Sequence, residues 1–217
     1  MTEERGKRTA EEKRALRREM KTRRAALSAE YTRWADAEIR GAVLSSDAYR
    51  RAERLFVYVS VPGEPDTRGL IAAALRDGKR VYVPKCLGKG EMLAARIRSL
   101  KELVPSALSI PEPREITETA PASAFDLILA PCVAAGADGR RLGHGAGYYD
   151  RFLRGARGPV WCLCYENMRA EDIPADARDV SMDAVITERG NIMAADAGFS
   201  REVLPFFGDD HKSGTGS

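Results

Sequence analysis

The sequence predicts an α/β fold: a three-layer αβα domain on a mainly parallel or mixed sheet, with N-terminal helices flanking a cleft. Two patterns carry this. Short apolar runs recur (RLFVYVSV at 54–61, FDLILAPCV at 125–133, PVWCLCY at 159–165), continuous rather than alternating, as in strands covered on both faces. Helical stretches alternate with them, which favours parallel pairing.

In chain order, TAEEKRALRREMKTRRAAL (9–27) reads as a helix of strong formers without Pro. Lys13, Arg17, Lys21 and Arg24 share one of its faces, and apolar positions are sparse. Ser28 fits the N-cap of a second helix, AEYTRWADAEIRGAVL, with Tyr31, Trp34, Ile39 and Val43 as its apolar stripe. RLFVYVSV is a strand ended by Pro62-Gly63. TRGLIAAALRDGK (67–79) is a helix capped by Thr67 and stopped by Gly78, and RVYVPKC is the next strand. EMLAARI suits a strand or a helix. SLKELVPSALSIPEP has little periodicity and reads mostly as loop. FDLILAPCV is the clearest buried strand, followed by a helix in GYYDRFLRGAR, a strand in PVWCLCY and a short strand in DAVIT.

The 217 residues suit a single domain over 1–200, helical over 9–45, with a polar tail at 201–217 expected to be partly disordered. Net charge is only +3, too little to argue for nucleic acid, but residues 1–27 hold ten Lys/Arg against five Glu, leaving the remainder at −2. No apolar run reaches the ~18 residues of a membrane span, and the charged N-terminus lacks a secretory core, so neither membrane nor export is expected. Cys86, Cys132, Cys162 and Cys164 form no CxxC pair and read as reduced thiols of a cytoplasmic protein. With only His144 and His211, the composition argues against a His-rich metal site and a Ser-His-Asp triad.

RLGHGAGYYDRFL (141–153) is the stretch with the strongest chemical character. Gly143, Gly145 and Gly147 allow close approach to main-chain N–H groups, a helix begins near Gly147 or Tyr148, and Arg141 can add a charged bond to an anion. It matches neither GxGxxG nor the Walker signature. Spacing alone fits equally a tight glycine turn feeding a helix, with Tyr148, Phe152 and Leu153 in the core and Asp150–Arg154 as an exposed pair.

This stretch resembles the RLGxGxGYYDR signature of the 5-formyltetrahydrofolate cyclo-ligase family. KRALR at 13–17 resembles the family's N-terminal basic motif, VSVPGEPDT at 59–67 its folate-side segment, and DVSMDAVIT its closing aspartate segment. The order agrees from about residue 10 to 190. The resemblance implies a cytoplasmic monomer that binds ATP and 5-formyltetrahydrofolate (monoglutamyl or polyglutamylated) and forms 5,10-methenyltetrahydrofolate, ADP and phosphate through phosphorylation of the formyl oxygen. It assigns ATP contacts to Lys13, Arg14 and Arg17, and nucleotide contacts to Arg141, Leu142, Gly143, His144, Gly145, Ala146, Gly147, Tyr148 and Tyr149. Arg141 and Tyr149 are the catalytic candidates. Val59 and Glu64 would contact folate together with His144, Gly145, Ala146, Gly147 and Tyr148, and Asp150 and Asp183 would hold Mg²⁺. Phosphoryl transfer asks for positioning and charge neutralisation, so scarce histidine is no obstacle.

Departures from the family pattern fall at His144, Ala146, Ala134-Ala135-Gly136 and Arg178. They keep open an alternative, a paralogue that binds folate or nucleotide without cyclising. A nucleic-acid binder using the basic helix is a weaker third reading, opposed by the small net charge.

Overall fold

The computed structural model describes residues 2–88, 90–106 and 110–193. The polar tail, His211 and the domain's expected end at 200 lie outside the described residues.

Two helices open the chain, α1 (Thr2–Ala25) and α2 (Ala29–Ser45). The first starts seven residues earlier than position 9, because Glu, Arg and Lys continue the helical propensity. Ser28 caps α2 as expected, its side chain accepting from the Tyr31 N–H. A short α3 (Asp47–Arg51) follows, capped in the same way by Ser46.

The strand β1 (Arg54–Val57) is shorter than the 54–61 run. Beyond it, Thr67 takes over the backbone groups: its Oγ1 accepts the Ser60 N–H at 3.0 Å and donates to the Tyr58 carbonyl at 2.7 Å. Thr67 therefore does not cap α4 (Arg68–Arg76), where no side-chain cap bond forms. It fastens the exit of β1 instead. Gly78, at φ +76°, stops α4 as expected.

EMLAARI is a strand. It forms β3 (Glu91–Ile97), paired antiparallel with β2 (Arg80–Gly88). SLKELVPSALSIPEP carries a small antiparallel pair, β4 (Leu103–Pro105) and β5 (Pro111–Pro113), and is otherwise largely irregular where described. Then come β6 (Thr119–Ala120), β7 (Leu127–Ala130), and a two-stranded ribbon of β8 (Ala134–Ala135) with β9 (Arg141–Leu142). The remaining elements are α5 (Tyr148–Leu153), β10 (Val160–Leu163), β11 (Ala184–Thr187) and β12 (Gly190–Met193).

The main sheet runs β12-β11-β10-β7-β1-β2-β3-β6. Its five central strands, β11 to β2, are parallel, while β12, β3 and β6 are each antiparallel to their neighbour. The sheet is thus mixed, as one form of the expectation had it. Strand alternation sends Phe56 into an aromatic cluster with Phe125, Phe152 and Tyr149, and Leu55 and Val57 to the opposite face. Cys132, Cys162 and Cys164 are buried and Cys86 is half-buried; all four are free thiols.

The topology places the site. From β1 the chain moves through α4 to β2 on one side, then returns to β7 on the other side of β1. Strand order reverses there, and the carboxyl ends of β1 and β7 diverge to leave a crevice, the usual ligand position in open α/β sheets.

Candidate active site

A cavity of about 760 Å³ opens at that switch point. Val59 and Glu64 reach it from the segment after β1, Pro131 from the end of β7, and the whole run 141–151 from β9 through α5. Ala10, Lys13, Arg14 and Arg17 close it from α1. Every residue assigned to ATP or folate from the sequence lines this one space. Asp150 lines it too. Asp183 does not: it sits just before β11, and its Oδ2 accepts the Val160 N–H at 2.7 Å, anchoring β11 to β10. The structure therefore does not bring the two aspartates of the metal assignment together in the cavity lining.

α1 buries little apolar surface, with Met20 (1% exposed) its buried hydrophobic residue. It is held by polar contacts. Lys13 Nζ meets Asp176 at 3.1 Å and Asp179 at 2.5 Å, Arg17 Nε donates to the Gly143 carbonyl at 2.8 Å, and Arg24 donates to the Cys132 carbonyl at 3.5 Å. Burial, the largest influence, lowers the Arg17 pKa, Asp179 opposes it, and Arg14 adds a smaller repulsion. A guanidinium stays protonated regardless.

The glycine loop is pinned at both ends. Arg17 holds the Gly143 carbonyl, while Arg151 donates to the Ala146 carbonyl at 2.6 Å and to Gly90 in the β2–β3 turn at 2.7 Å. Gly147, at φ +70°, occupies the N-cap of α5 in the left-handed region that favours glycine. Of the bland reading of this loop, Leu153 is indeed core and Phe152 packs against it. Tyr148, however, lines the cavity, and Asp150 pairs with Arg141 rather than Arg154.

That Arg141–Asp150 pair, at 2.7 Å, is central to the site. The Arg141 side chain is 3% exposed, its guanidinium lies 5.7 Å from the Tyr149 ring centre, and its Nε has no hydrogen-bond partner among the described residues. Burial first, then Glu64, drives the Tyr149 phenol well above its ordinary pKa, with Arg141 opposing. Tyr149 is therefore a proton-bearing hydrogen-bond donor near neutral pH, not a base.

On the other wall, Glu64 is almost completely buried. Its Oε2 accepts the Val61 N–H at 3.1 Å and its Oε1 lies 2.9 Å from His144 Nε2. The departures from the family pattern now have places. His144 and Arg178 line the cavity, as does Ala146. Ala134 and Ala135 are buried in the β8–β9 ribbon, outside the lining.

Several site residues escaped the sequence reading. Asp176 and Asp179 clamp α1, and Arg151 staples the loop, although it stood inside the quoted signature. Tyr165 donates to Asp36 at 2.7 Å and to the Glu64 carbonyl at 3.1 Å, fixing the segment that carries Glu64. Nothing local in the sequence signals that link.

The lining combines the cations Lys13, Arg14, Arg17 and Arg141, with Asp176 and Asp179 beside Lys13, and apolar Val59, Pro62, Met92 and Ile110 with the buried Glu64 carboxylate. The cations suit a polyanion, and apolar surface with a single carboxylate suits a planar ligand that donates hydrogen bonds.

A doubly wound α/β fold with a cavity of mixed cationic and apolar lining at its switch point is the class that fold and site define. The model of the 5-formyltetrahydrofolate cyclo-ligase family matches residues 9–188, and the chain belongs to that family. It is 34% identical to the 5-formyltetrahydrofolate cyclo-ligase of Escherichia coli strain K12 over 143 residues, covering 63% of this chain and 78% of the relative. To the probable 5-formyltetrahydrofolate cyclo-ligase of Caenorhabditis elegans it is 34% identical over 201 residues, covering 84% and 96%. The NMR structure of Aquifex aeolicus 5,10-methenyltetrahydrofolate synthetase superimposes with a TM-score of 0.75 at 28% identity, covering 93% of this chain and 99% of that one.

Proposed function

We infer that this chain catalyses the ATP-dependent cyclisation of 5-formyltetrahydrofolate to 5,10-methenyltetrahydrofolate, releasing ADP and phosphate. The observation that carries this is one cavity in which the glycine loop stands between the cations of α1 and the buried Glu64.

The triphosphate lies against Lys13, Arg14, Arg17 and Arg141 and the backbone of 143–147, with the folate ring system over Val59 and beside Glu64. The formyl oxygen attacks the γ-phosphorus as the bond to ADP breaks. The phosphorylated formyl carbon is then open to attack by the second folate nitrogen, N10. That nitrogen closes the ring and gives up its proton, and inorganic phosphate leaves. Arg141 neutralises charge on the transferred group, and the Tyr149 hydroxyl supplies a hydrogen bond.

Asp150 fits a Mg²⁺ ion, since that ion is commonly held by one or two carboxylates together with substrate phosphates and water. Bound there, it would neutralise phosphate charge. Asp183 holds Val160 through Oδ2 and does not line the cavity, so Asp150 is the better-supported ligand. We read the chain further as a cytoplasmic monomer that binds neither nucleic acid nor membrane. No described helix is long and apolar enough to cross a membrane. Exposed Arg18 and Lys21 on α1 suit the γ-glutamyl carboxylates of polyglutamylated folate.

The test is spectrophotometric. Purified protein should generate methenyl absorbance only when 5-formyltetrahydrofolate and ATP are both present, with one ADP per product. Tight folate binding with no product would select the non-cyclising alternative.

A further inference from the structure

We propose that His144 competes with the folate ring for the Glu64 carboxylate, making residue 144 a determinant of folate affinity. This rests on the folate-pocket reading above.

Glu64 has two oxygens and both are engaged: Oε2 by the Val61 N–H at 3.1 Å and Oε1 by His144 Nε2 at 2.9 Å. The carboxylate side chain is 4% exposed, so water cannot freely replace a lost partner. The 2-amino-4-oxopyrimidine edge of a folate offers adjacent N–H donors, and a carboxylate receives such a pair through two oxygens. His144 lines the cavity and holds Oε1, so a ring reaching that oxygen from the cavity meets the imidazole there. His144 is equipped to leave: its side chain is 55% exposed and stands on the glycine loop, next to Gly145 at φ +107°. The contact spans 80 residues of sequence and joins the two walls of the cavity, so it is a latch across the binding space, not a local turn.

The experiment is folate binding without nucleotide. Binding of 5-formyltetrahydrofolate is measured by calorimetry for wild type, His144→Ala and His144→Gln. His144→Ala, which takes the competing donor off Oε1, should bind severalfold more tightly than wild type. His144→Gln, which can still donate to the carboxylate, should fall between the two. Equal affinity in wild type and His144→Ala, or loss of binding in a variant that remains folded by circular dichroism, overturns the competition and makes His144 a bystander or a direct folate contact. Absence of wild-type binding overturns the folate pocket itself, and with it the latch.

Discussion

Arg141 is a buried cation with unfinished contacts. Asp150 satisfies one edge of the guanidinium and the Tyr149 ring lies near it, while Nε finds no partner among the described residues. Burying an ion so incompletely costs stability unless something completes the shell. A phosphate oxygen would complete it through a charged bond worth about 1.5–3 kcal/mol. Arg141→Ala should therefore lower kcat/KM for ATP by about ten- to a hundredfold. Arg141→Lys should recover part of the loss, since it returns charge without the planar fork. Steady-state kinetics over ATP at saturating folate checks this, and unchanged parameters would remove Arg141 from the reaction. The same residue limits its neighbour. A Cβ on Gly143 would come within 2.8 Å of Arg141 Nη1, so the glycine there leaves room for the guanidinium rather than providing an unusual backbone angle.

At the scale of elements, α1 is a strap fastened by charge. Ordinary surface helices dock through an apolar stripe, but α1 offers Met20 and depends on Lys13, Arg17 and Arg24. Arg178 above all, then its backbone N–H and Lys13, hold the Asp176 carboxyl well below its usual range. A depressed carboxylate contributes stability that is present above the unfolded aspartate pKa, about 3.9, and lost as pH falls through the folded value. The clasp is therefore fully engaged at neutral pH and yields only in acid below about pH 4. Lys13→Met should release α1 while leaving the sheet intact: backbone exchange across 10–25 accelerates, amides of β1, β7 and β10 keep their protection, and KM for ATP rises. Hydrogen exchange read by mass spectrometry decides it, and equal protection of α1 in the variant would show that the clasp is dispensable. The basic character of this helix was legible from its composition. Its partners were not, because Asp176 and Asp179 lie 163 and 166 residues away and the lysine–aspartate match exists only after folding.

For the whole molecule, continuous apolar runs announced the parallel strands and glycine-rich spacing announced the loop, because both depend on neighbours in sequence. What stayed hidden depends on neighbours in space: Thr67 fastening β1 instead of capping a helix, Asp183 tying β11 to β10, and the Tyr165–Asp36 link. The last of these joins three parts of the fold. Tyr165 at the end of β10 donates to Asp36 of α2 and to the Glu64 carbonyl, and Asp36 also accepts the Asp66 N–H at 2.9 Å. Burial first, then Asp36, pushes the Tyr165 phenol far above its ordinary pKa, so the hydroxyl remains a donor across the working pH range. The segment bearing Glu64 is thus set by the far side of the cavity, while the cationic wall is set separately by α1 and the glycine loop. Tyr165→Phe should exploit that separation. Removing the hydroxyl leaves the Asp36 side chain and the Glu64 carbonyl short of a donor, lowering stability by about 1–2 kcal/mol. A purely structural role would end there. A positioning role adds a selective kinetic effect: KM for 5-formyltetrahydrofolate rises severalfold while KM for ATP stays near the wild-type value. Two substrate titrations on the purified variant make the distinction, and equal changes in both KM values would show that the tether supports the fold without aiming Glu64.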